Sequence, residues 1–225
     1  MLCALAGLAG LLGTGAAHAQ VPPTAAEVQA YGALFQAARA GDLEGLQRAL
    51  KQGERVDARD GRGRTPLHVA THARQGAALR ALVAAGADID GVESDRYDAV
   101  TIASVADDVP TLDLLLSLGA RAGQTTSRYD GTALIAAAHL GHDGVVRRLI
   151  AAGAPLDHVN NLHWTAAIEA VVLGDGGPRH QRTLAALIAA GANLRLADRQ
   201  GKTPLDLARS RGYGEMVRML EAAAR

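Results

Sequence analysis

Any chemistry in this chain would have to come from its histidines, its carboxylate pairs and one glycine-rich run. His139 and His142 stand three residues apart, a spacing that shares a helix face, but Gly141 between them breaks a helix. His158 and His163 flank a later junction, and His180 closes the run Gly174-Asp175-Gly176-Gly177-Pro178-Arg179-His180. A three-histidine zinc site needs every ligand within about 2.0–2.1 Å of one ion, and no spacing here enforces that convergence. Asp107-Asp108 reads as a helix-connecting turn rather than an acid pair. Glycine-rich backbone can cradle an anion. This run, however, lacks the Gly-Lys-Ser/Thr ending of a phosphate loop and follows no expected strand. The expectation is a non-enzymatic protein with no cofactor and no metal. A small-ligand or metal site at Gly174–His180, using Asp175, Arg179 and His180, is the competing reading.

Composition narrows the class of partner. Lys plus Arg and Asp plus Glu each number 23, so the formal net charge is zero. A nucleic-acid binder needs a basic excess to neutralise phosphates, and none is present. Only 6 of the 225 residues are aromatic, while Ala, Leu and Gly abound. That balance suits thin helical layers packed through small side chains.

The elements that would position any site follow a repeat. Thr65-Pro66-Leu67-His68-Val69-Ala70 recurs as Asp98-Ala99-Val100-Thr101-Ile102-Ala103, as Thr132 to Ala137, as Thr165 to Ala170 and as Thr203 to Ala208, at spacings of 33, 34, 33 and 38. Gly53, Gly86, Gly119, Gly153 and Gly191 keep the same beat, four of them followed by Ala. Two markers in one register identify the chain as similar to ankyrin repeats, whose signature is Thr-Pro-Leu-His-x-Ala. The resemblance covers Leu34 to the C-terminus. It implies an all-α ankyrin-repeat solenoid of about six helix-turn-helix repeats with hairpin-like tips, at residues 30–59, 60–92, 93–126, 127–159, 160–197 and 198–225.

Along each repeat the local signals agree. Thr65 can cap a helix with its hydroxyl, and Pro66 fills the first helical position, where a missing N–H does no harm. Leu79, Leu82 and Val83 line the second helix, which Gly86 closes in the left-handed conformation. By resemblance, His68 bonds neighbouring backbone and ties repeats together. Val145, Val146, Leu149 and Ile150 form the equivalent buried stripe of the fourth repeat, and the first and last repeats read as caps. The 38-residue spacing places extra residues between the two helices of the fifth repeat, around Gly174–His180. There they read as a flexible surface connector or a partner-contact loop. Together with Trp164 to Ala170, that run resembles a recurring type of bacterial ankyrin protein.

In ankyrin proteins, partners dock on the concave surface made by the tips and the first helices. Carried onto this sequence, that surface offers Arg62, Arg64, Tyr97, Arg128, Tyr129, Trp164, Arg199 and Lys202. Three of the six aromatic residues fall at consecutive tips, and Tyr, Trp and Arg dominate binding hot spots. The expected partner is a protein of unspecified identity, bound by a monomer.

Residues 1–19 read as a cleavable signal peptide. Met1 to Ala17 carries no charged side chain, and Ala17-His18-Ala19 precedes an expected cut after Ala19. The basic n-region of a signal is missing, so a buried N-terminal helix is the alternative. Residues 20–29 follow as a short linker, since Val21-Pro22-Pro23 cannot continue a helix. Cys3, the only cysteine, would leave with the signal. The expected setting is a bacterial periplasm or the exterior, with no membrane insertion after cleavage. An immunity or inhibitor role there is a second possible duty, and a cytosolic scaffold with an uncleaved leader is a third.

Overall fold

A computed structural model describes residues 21–224 of the protein, and the expected signal peptide with its cut site lies outside the described residues. The segment expected to be a linker holds a short helix, α1 (Ala25–Gln29), because Thr24 and Glu27 form a reciprocal cap at its start. Six helix pairs follow. They are α2 (Ala33–Ala40) with α3 (Leu43–Lys51), α4 (Pro66–His72) with α5 (Gly76–Ala84), and α6 (Ala99–Val105) with α7 (Val109–Ser117). Then come α8 (Ala133–His139) with α9 (Asp143–Ala151), α10 (Ala166–Val172) with α11 (Pro178–Ala189), and α12 (Pro204–Ser210) with α13 (Gly214–Ala223). The first helices α2 to α12 pack each on the next, and the second helices α3 to α13 form the other layer. One tip carries a two-stranded antiparallel pair, β1 (Thr125–Thr126) and β2 (Gly131–Thr132), with Thr125 opposite Thr132.

From the second repeat on, each first helix starts where the repeated motif starts, and for the same reason. Thr65, Asp98, Thr132, Thr165 and Thr203 sit at the N-caps in extended conformation, each accepting from the N–H three residues on. Asp98 therefore does in the degenerate third repeat what threonine does in the others. His68 Nδ1 bonds Thr65, accepting from its N–H at 3.1 Å and meeting its hydroxyl at 2.8 Å. The hydrogen bonds of that nitrogen thus stay within one repeat. Gly86 ends the α5 turn at φ +90°, and the glycines in its register share that left-handed backbone.

The core runs the length of the stack between the two layers. Leu67, Leu79 and Leu82 are fully buried in the second repeat, as are Leu112 and Leu115 in the third, and Leu134, Val145, Val146 and Leu149 in the fourth. Val83 and Ile150 are only partly buried at its margin.

Candidate functional site

Five tips are held by one device. A side chain five residues before the helix cap accepts hydrogen bonds from the N–H groups two and four residues ahead. Asp60 takes those of Arg62 and Arg64, and Glu93 those of Asp95 and Tyr97. Ser127 takes those of Tyr129 and Gly131, Asn160 those of Leu162 and Trp164, and Asp198 those of Gln200 and Lys202. Neighbouring tips are also tied to each other, through Ser94 N to Arg62 O at 3.0 Å and Asn161 N to Tyr129 O at 2.9 Å. The tips thus form a supported strip rather than separate loops.

Within a tip the side chains alternate, and this divides the expected binding residues. Arg62 and Tyr129, three residues before a cap, point outward, whereas Arg64 and Tyr97, directly before a cap, turn inward. Arg64 is 2% exposed and Tyr97 8% exposed. Both therefore leave the set of outward residues that the sequence suggested. Arg64 Nε donates to Asp60 Oδ2 at 2.7 Å, and its Nη2 lies 2.9 Å from Glu27 Oε1. Tyr31 donates its hydroxyl to the same Asp60 carboxylate at 3.0 Å. The backbone N–H of Thr24, followed by the Thr24 hydroxyl and Arg64, holds the Glu27 carboxyl down to about 2. Burial alone would raise Asp60, but its bonds to Arg64 and to the Arg62 and Arg64 N–H groups outweigh that and lower it. This is a structural cluster that pins α1 to the second repeat.

Exposed candidates remain. Tyr129 is 48% exposed and Leu162 37% exposed, with Trp164 half-buried behind them. Arg62 pairs with Glu27 at 3.0 Å and Arg128 with Asp95 at 3.5 Å. Arg199 donates to Asn161 O at 2.6 Å, and Lys202 is exposed.

The insertion is clasped rather than slack. His180 Nδ1 meets Asp175 Oδ1 at 2.9 Å, and its Nε2 meets the His139 carbonyl at 2.9 Å. Arg179 reaches Asp107 Oδ2 at 2.7 Å, and Tyr213 donates its hydroxyl to Gly174 O at 2.9 Å. Part of the extra length goes into α11, which has 12 residues against 9 in α5, α7 and α9. Asp175, Arg179 and His180 thus bind residues of the third and fourth repeats or of the insertion itself. The insertion also joins the ends of the helices opposite the tips, so it lies away from the exposed strip.

One arrangement had not been expected. Glu169, on the inner helix α10, is 4% exposed. Its Oε1 accepts from Asn160 Nδ2 at 3.0 Å, while its Oε2 has no hydrogen-bond partner among the described residues. His139 Nδ1 stands 3.4 Å from that oxygen. The sequence did carry a signal. The other copies place Val69, Ile102, Ala136 and Leu207 in this register, and Glu169 breaks an apolar series. Among the described residues no group of three or more His, Cys, Asp or Glu could hold a metal ion, and no helix is long and apolar enough to cross a membrane.

Known proteins resemble the chain along most of its length. A family profile of ankyrin repeats in three copies matches residues 34–126, and a single ankyrin-repeat profile matches residues 129–161. The ankyrin repeat protein YahD of Escherichia coli (strain K12) is 34% identical over 188 residues, covering 83% of this chain and 93% of its own. The crystal structure of an ankyrin repeat domain from Acinetobacter baumannii AYE is 43% identical at a TM-score of 0.79, covering 85% of this chain and 97% of that one. The ankyrin repeat domain of Bcl-3, a member of the IkappaB family, is 26% identical at a TM-score of 0.76, with 86% of each chain covered.

Proposed function

We infer that this chain, which belongs to the ankyrin repeat family, is a non-enzymatic module that binds another protein across its tips and inner helices. Ankyrin repeat proteins generally mediate protein–protein interaction. The observation that carries the surface assignment is the exposure of Tyr129 and Leu162 beside Trp164 on a strip whose backbone is fixed by hydrogen bonds. Apolar and aromatic area held out on a rigid support loses little conformational entropy on docking. Arg62, Arg128, Arg199 and Lys202 form its polar rim. The chain is a monomer in this reading, since the partner takes the exposed strip.

We place its work outside the cytoplasm, in a periplasm or the exterior, after a cut behind Ala19. A cut there leaves a single residue ahead of Val21, whose carbonyl already accepts from Arg64 at 3.3 Å. Protein recovered from the exported fraction is expected to begin at Gln20 on N-terminal sequencing, and a start at Met1 would reject the leader.

The binding test is capture from an extract of the native host with wild type and with a Tyr129→Ala, Leu162→Ala, Trp164→Ala variant. A protein held by the first and lost by the second, at equal melting temperature, is the expected result. Equal capture by both would reject this surface.

A further inference from the structure

The angle between the tips and the first-helix layer holds two corresponding places, one occupied by the Arg64 side chain and one with glycine in its stead. At the first, Val21, Arg62, Arg64, His72, Glu93, Asp95, Tyr97 and Ile102 line a small cleft. Two repeats further on, 67 positions along the chain, each of these repeat positions has a counterpart. Tyr129 stands for Arg62, Gly131 for Arg64, Asn160 for Glu93, Leu162 for Asp95, Trp164 for Tyr97 and Glu169 for Ile102, while His72 is matched by His139.

The substitutions change the chemistry in a concerted way. The first place supplies its own cation, the Arg64 guanidinium, and closes over it with the N-terminal segment. The second supplies no cation at that position. Nothing in the backbone demands glycine there, because Gly131 has no left-handed φ and an added Cβ would stand 3.6 Å from Ser127 Oγ and 3.7 Å from Ile135 Cγ2. A buried carboxylate, Glu169, replaces Ile102, and among the described residues one of its oxygens accepts no hydrogen bond, with His139 Nδ1 standing 3.4 Å from it. Arg62 and Asp95 give way to the exposed Tyr129 and Leu162.

We propose that this second place receives a basic side chain, arginine or lysine, presented by an extended apolar segment of the protein partner. The inference rests on the inner surface being the binding surface and names what that surface selects. A buried, under-bonded carboxylate is costly unless a cation pairs with it. The incoming guanidinium takes the position that Arg64 occupies two repeats earlier and bonds Glu169 Oε2. The Trp164 face, in the register of Tyr97, stacks against it, and Tyr129 and Leu162 cover the flanking apolar residues. A purely apolar or acidic segment would leave Glu169 unsatisfied or opposed, which gives the site its selectivity.

Trp164 is the only tryptophan in the chain, so its emission reports occupancy directly. The probes are acetyl-Val-Leu-Arg-Leu-Val-amide and the same peptide with citrulline, the uncharged isostere, in place of arginine. The arginine peptide is expected to shift the emission saturably, with the citrulline peptide at least about tenfold weaker, the weight of one charge-assisted hydrogen bond. Glu169→Gln is expected to erase that difference. Glu169→Ile, which restores the residue of the earlier copy and so guards against misfolding, is expected to do the same. Equal titration by both peptides, a difference that survives in both variants, or no titration by either peptide would overturn the proposal. If the peptides bind equally and Tyr129→Ala weakens both, the binding surface stands and its preference for a cation falls. If neither peptide binds and the triple variant still captures the partner, both fall.

Discussion

Replacing Arg64 by alanine removes the buried cation from a cluster of two carboxylates and a phenol. Asp60 is 8% exposed and would be left as an uncompensated buried charge, for which about 3–5 kcal/mol is the usual loss. Glu27 is 28% exposed and can rehydrate, which places the expectation at the lower end, about 3 kcal/mol. Arg62→Ala is the control two residues away. Its pair with Glu27 is a surface pair and is worth about 0–1 kcal/mol. A repeat array can open at one end, so a single melting curve would blur the effect. Residue-resolved hydrogen exchange is the better assay. In Arg64→Ala, amides of α2 and α4 should lose about a hundredfold protection or more while those of α11 to α13 stay unchanged. Arg62→Ala should leave both sets alone. Equal losses in the two variants, or none in Arg64→Ala, would refute the assignment of Arg64 to the structure.

Three further outcomes follow from the geometry. Burial lowers both His68 and His72 from 6.5 to about 4. The unfolded chain therefore takes up protons in that window and the folded chain does not. Stability is complete above pH 6.5 and falls by up to about 1.4 kcal/mol per pH unit for each histidine toward pH 4; denaturant titrations showing a gain on acidification would contradict this. His163 holds φ +63° at a tip position where the second and sixth repeats use Gly63 and Gly201. His163→Gly should therefore raise stability by about 0.5–1 kcal/mol in urea unfolding, and a loss would mean that its side chain makes an unrecognised contact. Gly176 combines φ +70° with a Cβ position 2.5 Å from the Tyr213 ring. Gly176→Ala should cost about 2 kcal/mol or more and loosen the exchange of α11 and α13 first, whereas a neutral effect would mean that the insertion is not clasped.

What the sequence made legible was local and repeated. The threonine caps, the Pro66 start, the glycine beat and the leucine stripes depend on near neighbours, so one copy predicts the next. Asp98 shows how far this reaches, since a residue unlike threonine still accepts the bond a cap requires. Less visible was anything decided by side-chain direction or by contact across repeats. Arg64 and Arg62 look interchangeable as text, yet alternation along the tip buries one and exposes the other. Tyr97 and Trp164 share a register that Tyr129 does not, so three aromatic residues at consecutive tips do not make a uniform row. The insertion looked slack because its glycines are flexible residues, while its anchors, His139, Asp107 and Tyr213, lie more than 30 positions away. Glu169 could have been found by aligning the copies and asking why one apolar position is charged.

The most direct test of the central claim is hydrogen exchange on the complex formed with the captured partner. Slowed exchange at residues 128–131 and 159–164 and along α8 and α10, with the opposite layer α9 and α11 unchanged, is the predicted footprint. Protection confined to residues 174–182 or to the second helices, with the tips exchanging as in the free protein, would contradict it.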